Sequence, residues 1–132
     1  MQYLERYGFS GGIYPINPGR REVMGRPCVP NVAALAEAPD MAVIAVPAVG
    51  VVDVVREGQA SGVQALTIYT SGFAEAGADG EAREAELRDL IAEGETLVCG
   101  PNSQGVANFH DSMVAYFTSE LGSDDAPPGP VG

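Results

Sequence analysis

Short apolar runs rich in β-branched residues alternate with helical stretches along this chain, and that alternation constrains the fold more than any other feature. Residues 41–46 are continuously apolar and stop at Pro47, the pattern of a strand buried on both faces. Residues 49–60 set Val51, Val52, Val54 and Val55 among polar positions and lead to Gly62, a residue suited to ending a helix. Residues 64–70 read as the next strand. Residues 80–92 read as a helix with Leu87, Leu90 and Ile91 on one face and Glu84 spaced to pair with Arg88. Residues 96–99 form another short strand, closed by Gly100, Pro101 and Asn102, and residues 12–16 form an earlier one, closed by Asn17, Pro18 and Gly19. Strands and helices in this order predict parallel strands joined by right-handed crossovers, an open α/β sheet.

Size and charge remove several alternatives. The 132 residues suffice for one domain, or one domain and part of a second. A net charge of −11, with seven arginines and no lysine, argues against a nucleic-acid partner, whose footprint is basic. Cys28 and Cys99 form neither a disulfide framework nor a C-x-x-C pair, and a single histidine excludes a multi-histidine metal site. The longest apolar run, residues 41–52, falls short of the ~20 residues a membrane span needs, and Glu5 and Arg6 stand where a signal peptide would be apolar. The expectation is a soluble cytoplasmic protein without a membrane or nucleic-acid partner.

Open α/β sheets bind ligands beyond the carboxyl ends of their strands. Those ends here are Asn17-Pro18, Val46-Pro47-Ala48, Thr70-Ser71-Gly72-Phe73 and Gly100-Pro101-Asn102. Glycine and proline also end strands without any ligand, so each loop alone is a weak signal. The arginines sharpen the reading. Residues 19–26 carry Arg20, Arg21 and Arg26 against Glu22 alone, a local charge of +2 in an acidic chain. Guanidinium groups bind phosphate bidentately, and at the end of a second strand they suit a phosphorylated ribose. NADP and coenzyme A (CoA) both carry one, and the residues do not choose between them. Residues 101–105 depart from a nucleophile elbow because Pro101 holds the first glycine position. Cys99 reads as an inert core thiol, His110 as a surface or hydrogen-bonded residue, and Glu75 as either a surface acid or a pocket group.

The strand-end segments resemble a known family. Residues 8–18, Ala45-Val46-Pro47-Ala48, residues 70–75 and residues 100–108 are similar, in order, to the nucleoside-diphosphate-forming acyl-CoA synthetases, relatives of the succinyl-CoA synthetase α subunit and of ADP-forming acetyl-CoA synthetase. The resemblance covers about residues 3–118. It implies a Rossmann-like CoA-binding domain over residues 1–105, and over residues 106–132 the start of a flavodoxin-like, succinyl-CoA-ligase-like second domain, with a strand at residues 114–117 and a linker at residues 123–132. It implies that Asn17, Pro18, Arg20 and Arg21 lie near the adenosine end of CoA. Val46, Pro47, Ala48, Ser71, Gly72 and Phe73 would line the CoA cleft, and Asn102 would mark the crossing to the second domain. No residue of this chain is implied to be catalytic.

By the same resemblance the parent enzyme is an acid–CoA ligase that converts acyl-CoA, ADP and phosphate to free acid, CoA and ATP. Its partners would be the second flavodoxin-like domain and an ATP-grasp domain or subunit that holds ATP, ADP and Mg²⁺. The family's opening strand and Gly-rich loop have no counterpart before residues 2–7, which read as the last turns of a helix. The expectation is therefore a sheet without its first strand and a fragment inactive alone. The alternatives are a stand-alone CoA-binding regulatory module and an NADP-binding oxidoreductase fragment.

Overall fold

The computed structural model describes residues 1–117, so the expected linker at residues 123–132 lies outside the described residues. The chain divides into two compact units, one of Tyr14–Ser103 and one of Met1–Ile13 with the described residues from Gln104 onward.

The smaller unit begins with helix α1, Gln2–Arg6. The larger unit opens with a turn at Asn17 and a short antiparallel hairpin, β1 (Glu22–Val23) and β2 (Arg26–Pro27). Met24 and Gly25 join them with φ of 52° and 75°, the left-handed pair that a two-residue hairpin turn requires. Then follow β3 (Met41–Ile44), α2 (Val51–Ala60), β4 (Ala65–Ile68), α3 (Ala78–Glu93) and β5 (Leu97–Cys99). The three strands pair in parallel in the order β3-β4-β5, in the register Met41↔Ala65 and Ala65↔Leu97. This is the α/β sheet expected from the sequence, and each helix lies within two residues of its expected bounds. Gly62 follows α2 with φ of 84°, in its expected capping role.

One core holds this unit together. Ala42, Ile44, Val46, Leu66, Ile68 and Val98 alternate along their strands to one face of the sheet. They cluster there with Val51, Val52 and Val55 of α2 and Leu87 of α3, and Leu90 and Ile91 pack against the same cluster. The outer face of α3 is charged, and Glu84 accepts from Arg88 at 3.3 Å, as its spacing predicts.

Three expectations need correction. Residues 12–16 form no strand. Their pairing is a single parallel bridge, Ile16↔Val29, because Pro15 has no N–H to extend a ladder and contributes only its carbonyl, to Val29 N–H at 3.1 Å. β3 is not buried on both faces: Val43 points away from the helices and is 40 % exposed. A continuous apolar run cannot report which sheet face is covered. Cys99 is not a core thiol; it is exposed on β5, and its Sγ lies 3.4 Å from Ser103 Oγ.

The smaller unit is completed by β6 (Gly105–Asn108) and β7 (Met113–Tyr116). The strand expected near residues 114–117 is present as β7, and it pairs antiparallel with β6. The Asn108 side chain closes the hairpin: it donates to Asp111 at 2.7 Å, and its Oδ1 accepts from the N–H of exposed His110 at 3.1 Å. Val114 and Ala115 are buried, and Tyr7 meets Phe109 edge-on at 5.4 Å.

Candidate functional site

The carboxyl ends of β3, β4 and β5 are drawn together by hydrogen bonds to their backbone carbonyls. Thr70 Oγ1 donates to Val46 O at 2.7 Å, joining the ends of β3 and β4. Asn102 N–H donates to Thr70 O and Ser103 N–H to Ile68 O, both at 3.0 Å, joining the ends of β4 and β5. Gly72, at φ of 100°, lies so near Ala48 that a Cβ on it would stand 3.1 Å from the Ala48 Cβ. A side chain there would be strained by its φ and would crowd the neighbouring loop.

Seven of the site residues expected from the sequence therefore share one end of the sheet: Val46, Pro47, Ala48, Ser71, Gly72, Phe73 and Asn102. They do not present themselves alike. Pro47, Ser71 and Asn102 are exposed, whereas the Phe73 side chain is fully buried in the core. Phe73 thus offers a ligand no surface of its own, and its ring is the anchor that sets where the loop lies.

The remaining four residues form the Asn17–Arg20 turn and its continuation. Asn17 Oδ1 accepts from Gly19 N–H at 2.9 Å, and Asn17 N–H donates to Val29 O at 2.9 Å, so this side chain shapes the turn. Pro18, Arg20 and Arg21 are exposed. Among the described residues, neither the Arg20 nor the Arg21 guanidinium has a hydrogen bond or ion pair, which leaves two cations available to an anionic ligand.

Glu75, which the sequence left between two roles, proves to be a loop holder. Its Oε1 accepts from Gly72 N–H at 2.6 Å. Backbone N–H groups, of Gly72 first and then of Glu75 itself and Phe73, hold its carboxyl below the usual carboxylate range. Two residues of α3 grip the same loop: Arg83 Nη1 donates to Gly72 O, and Glu84 Oε2 accepts from Ala74 N–H at 3.0 Å. Sequence reasoning missed Thr70 and Arg83 as site-shaping residues, since each bonds a backbone carbonyl and no side-chain motif marks such a partner. A groove between α2 and α3 is lined by Asp53, Asp79, Glu86 and Arg83, and Arg56 pairs with Asp53 at 2.7 Å and with Glu86 at 3.5 Å; the net balance is still acidic and unsuited to a phosphorylated ligand. No cluster of metal-ligating side chains occurs among the described residues. No helix among them is long and apolar enough to cross a membrane.

Over residues 1–108 the chain matches the family described as CoA binding domain. The chain belongs to that family. This CoA-binding domain is 39 % identical over 117 residues to a trans-feruloyl-CoA synthase of an unknown prokaryotic organism, a match covering 89 % of this chain and 16 % of that protein. It is 36 % identical over 135 residues to the ADP-forming acetate–CoA ligase I subunit alpha of Pyrococcus furiosus, covering 99 % of this chain and 28 % of that subunit. Among solved structures it is similar to the apo form of a dinucleotide-forming acetyl-coenzyme A synthetase 1 of Ca. Korarchaeum cryptofilum. That match has 37 % identity and a TM-score of 0.81, and covers 88 % of this chain and 25 % of the other. The CoA-binding domain thus spans between 16 % and 28 % of the length of these relatives.

Proposed function

We propose that this chain is the CoA-binding part of an ADP-forming acid–CoA ligase. In this reading Arg20 and Arg21 hold the phosphorylated ribose of CoA, and the loops ending β3 and β4 receive its uncharged arm. The observation that carries the reading is the joining of three strand-end loops by hydrogen bonds to backbone carbonyls at one end of a parallel sheet, the position at which such sheets bind ligands. The two unpartnered guanidinium groups of the same unit supply the charge that a CoA phosphate needs. Both features fit CoA, and the ligase relatives supply the reaction class.

In this reading the described residues bind and orient CoA, and bond-making is left to the rest of the parent enzyme. Acyl and phosphoryl transfer fall to the second flavodoxin-like domain and to an ATP-grasp domain or subunit of the parent enzyme, where ATP, ADP and Mg²⁺ would bind. The parent would be cytoplasmic.

The test is a calorimetric titration of the chain with CoA, dephospho-CoA and NADP. CoA is expected to bind more tightly than either competitor. Changing both Arg20 and Arg21 to Ala is expected to weaken CoA binding by about 1–3 kcal/mol, the loss of charge-assisted hydrogen bonds, and to leave dephospho-CoA nearly unaffected. Unchanged CoA affinity in the double variant would remove the phosphate role from these arginines. Binding of NADP without CoA would point instead to the dinucleotide reading.

A further inference from the structure

We infer that Glu75 is a positioning residue for CoA: its carboxylate fills the anion seat of the loop after β4 and so sets the shape in which that loop meets the ligand. The inference rests on the CoA reading above and deepens it.

Three charged side chains converge on this loop. Glu75 takes the N–H of Gly72 at 2.6 Å, Arg83 takes the carbonyl of Gly72, and Glu84 takes the N–H of Ala74 at 3.0 Å. Both polar groups of Gly72 are thus held by opposite charges, so turning either adjoining peptide breaks a charge-assisted bond. On the other side, Ala48 leaves the Gly72 backbone little room to move toward the end of β3. The loop is held in one conformation from both directions.

This arrangement decides what the loop can offer. A glycine-bearing loop with free N–H groups would be a nest for a ligand phosphate. Here a carboxylate of the chain itself is already seated, the Gly72 and Ala74 donors are used, and a phosphate arriving at the same place would meet a negative charge. The loop therefore contributes shape and the exposed Ser71 rather than phosphate contacts. The anionic end of the ligand is left to Arg20 and Arg21.

The sign of a substitution separates this role from that of a bystander. A carboxylate that merely lies near an anionic ligand opposes binding, so its removal strengthens CoA affinity or leaves it unchanged. A positioning carboxylate gives the reverse. Glu75→Ala is expected to weaken CoA binding about tenfold or more. Glu75→Gln keeps an acceptor oxygen for Gly72 N–H and is expected to stay within about threefold of the parent. Amide hydrogen exchange at Gly72, read in the same three proteins without ligand, is expected to be slow in the parent and in Glu75→Gln and fast in Glu75→Ala. A parent that binds CoA together with a Glu75→Ala variant that binds it equally well or better overturns the inference alone. A parent that binds no CoA overturns the CoA reading, and the inference with it.

Discussion

Phe73→Ala is expected to cost about 3–5 kcal/mol of folding free energy, the loss for deleting a fully buried aromatic ring. The ring is wholly shielded from solvent and is the largest of the fully buried side chains. It clusters with Leu66 and Ile68 of β4 and with Leu87 of α3, so its removal leaves a cavity where the sheet meets both the helix layer and the strand-end loop. Against the ~5–15 kcal/mol total of a typical domain, such a loss is a large share. Urea unfolding measures it as a lowered midpoint at an unchanged m-value. Leu97→Ala, at a side chain 75 % exposed, is the control and is expected to change stability by less than about 0.5 kcal/mol. Equal losses in the two variants would mean that the core does not lie on the helix-covered face of the sheet.

Gly80→Ala carries the second large effect, and its sign runs against helix propensity. Within an exposed helix this change stabilises by about 1 kcal/mol. Gly80 is buried in the first turn of α3, and a Cβ there would collide with the backbone carbonyl of Phe73. A carbonyl cannot rotate away as a side chain does, so the helix start or the whole loop must shift. The expected net result is a loss of about 2–3 kcal/mol. In a unit of this size that lowers Tm by about 10 °C or more. Because the loop moves with the helix, CoA affinity is expected to fall as well. Gly58→Ala is the comparison: the nearest atoms its Cβ would meet belong to the Leu66 side chain, the closest at 3.3 Å, and a side chain can give way. The expected Tm loss is therefore smaller for Gly58→Ala than for Gly80→Ala. The opposite order would mean that α3 is not pressed against the Phe73 backbone.

Both predictions concern the attachment of one loop, and they show where sequence reasoning stops. That Ser71, Gly72 and Phe73 follow a strand is legible from the apolar run before them. That the Phe73 ring turns inward, taking the whole residue out of solvent, is not. The same limit applies to Glu75, whose partner is the N–H of Gly72, and to Arg83, whose partner is the carbonyl of Gly72 eleven residues earlier. Backbone partners leave no signature in side-chain identity.

The sequence by itself determined the order of the elements of the larger unit, since apolar periodicity distinguishes β3, β4 and β5 from α2 and α3. It also determined the loops at which a ligand is expected, since glycine and proline end those strands, and the arginine pair that stands out in an acidic chain. The tertiary structure alone decided that residues 12–16 make a bridge and no strand, because Pro15 has no N–H to extend the pairing. It alone decided which sheet face is covered, leaving Val43 and Cys99 exposed, because an apolar run is the same whichever face the helices take. And it alone assigned Glu75 its place, because a carboxylate's role follows from the donor it meets, and that donor is positioned by the packing of Phe73 and α3.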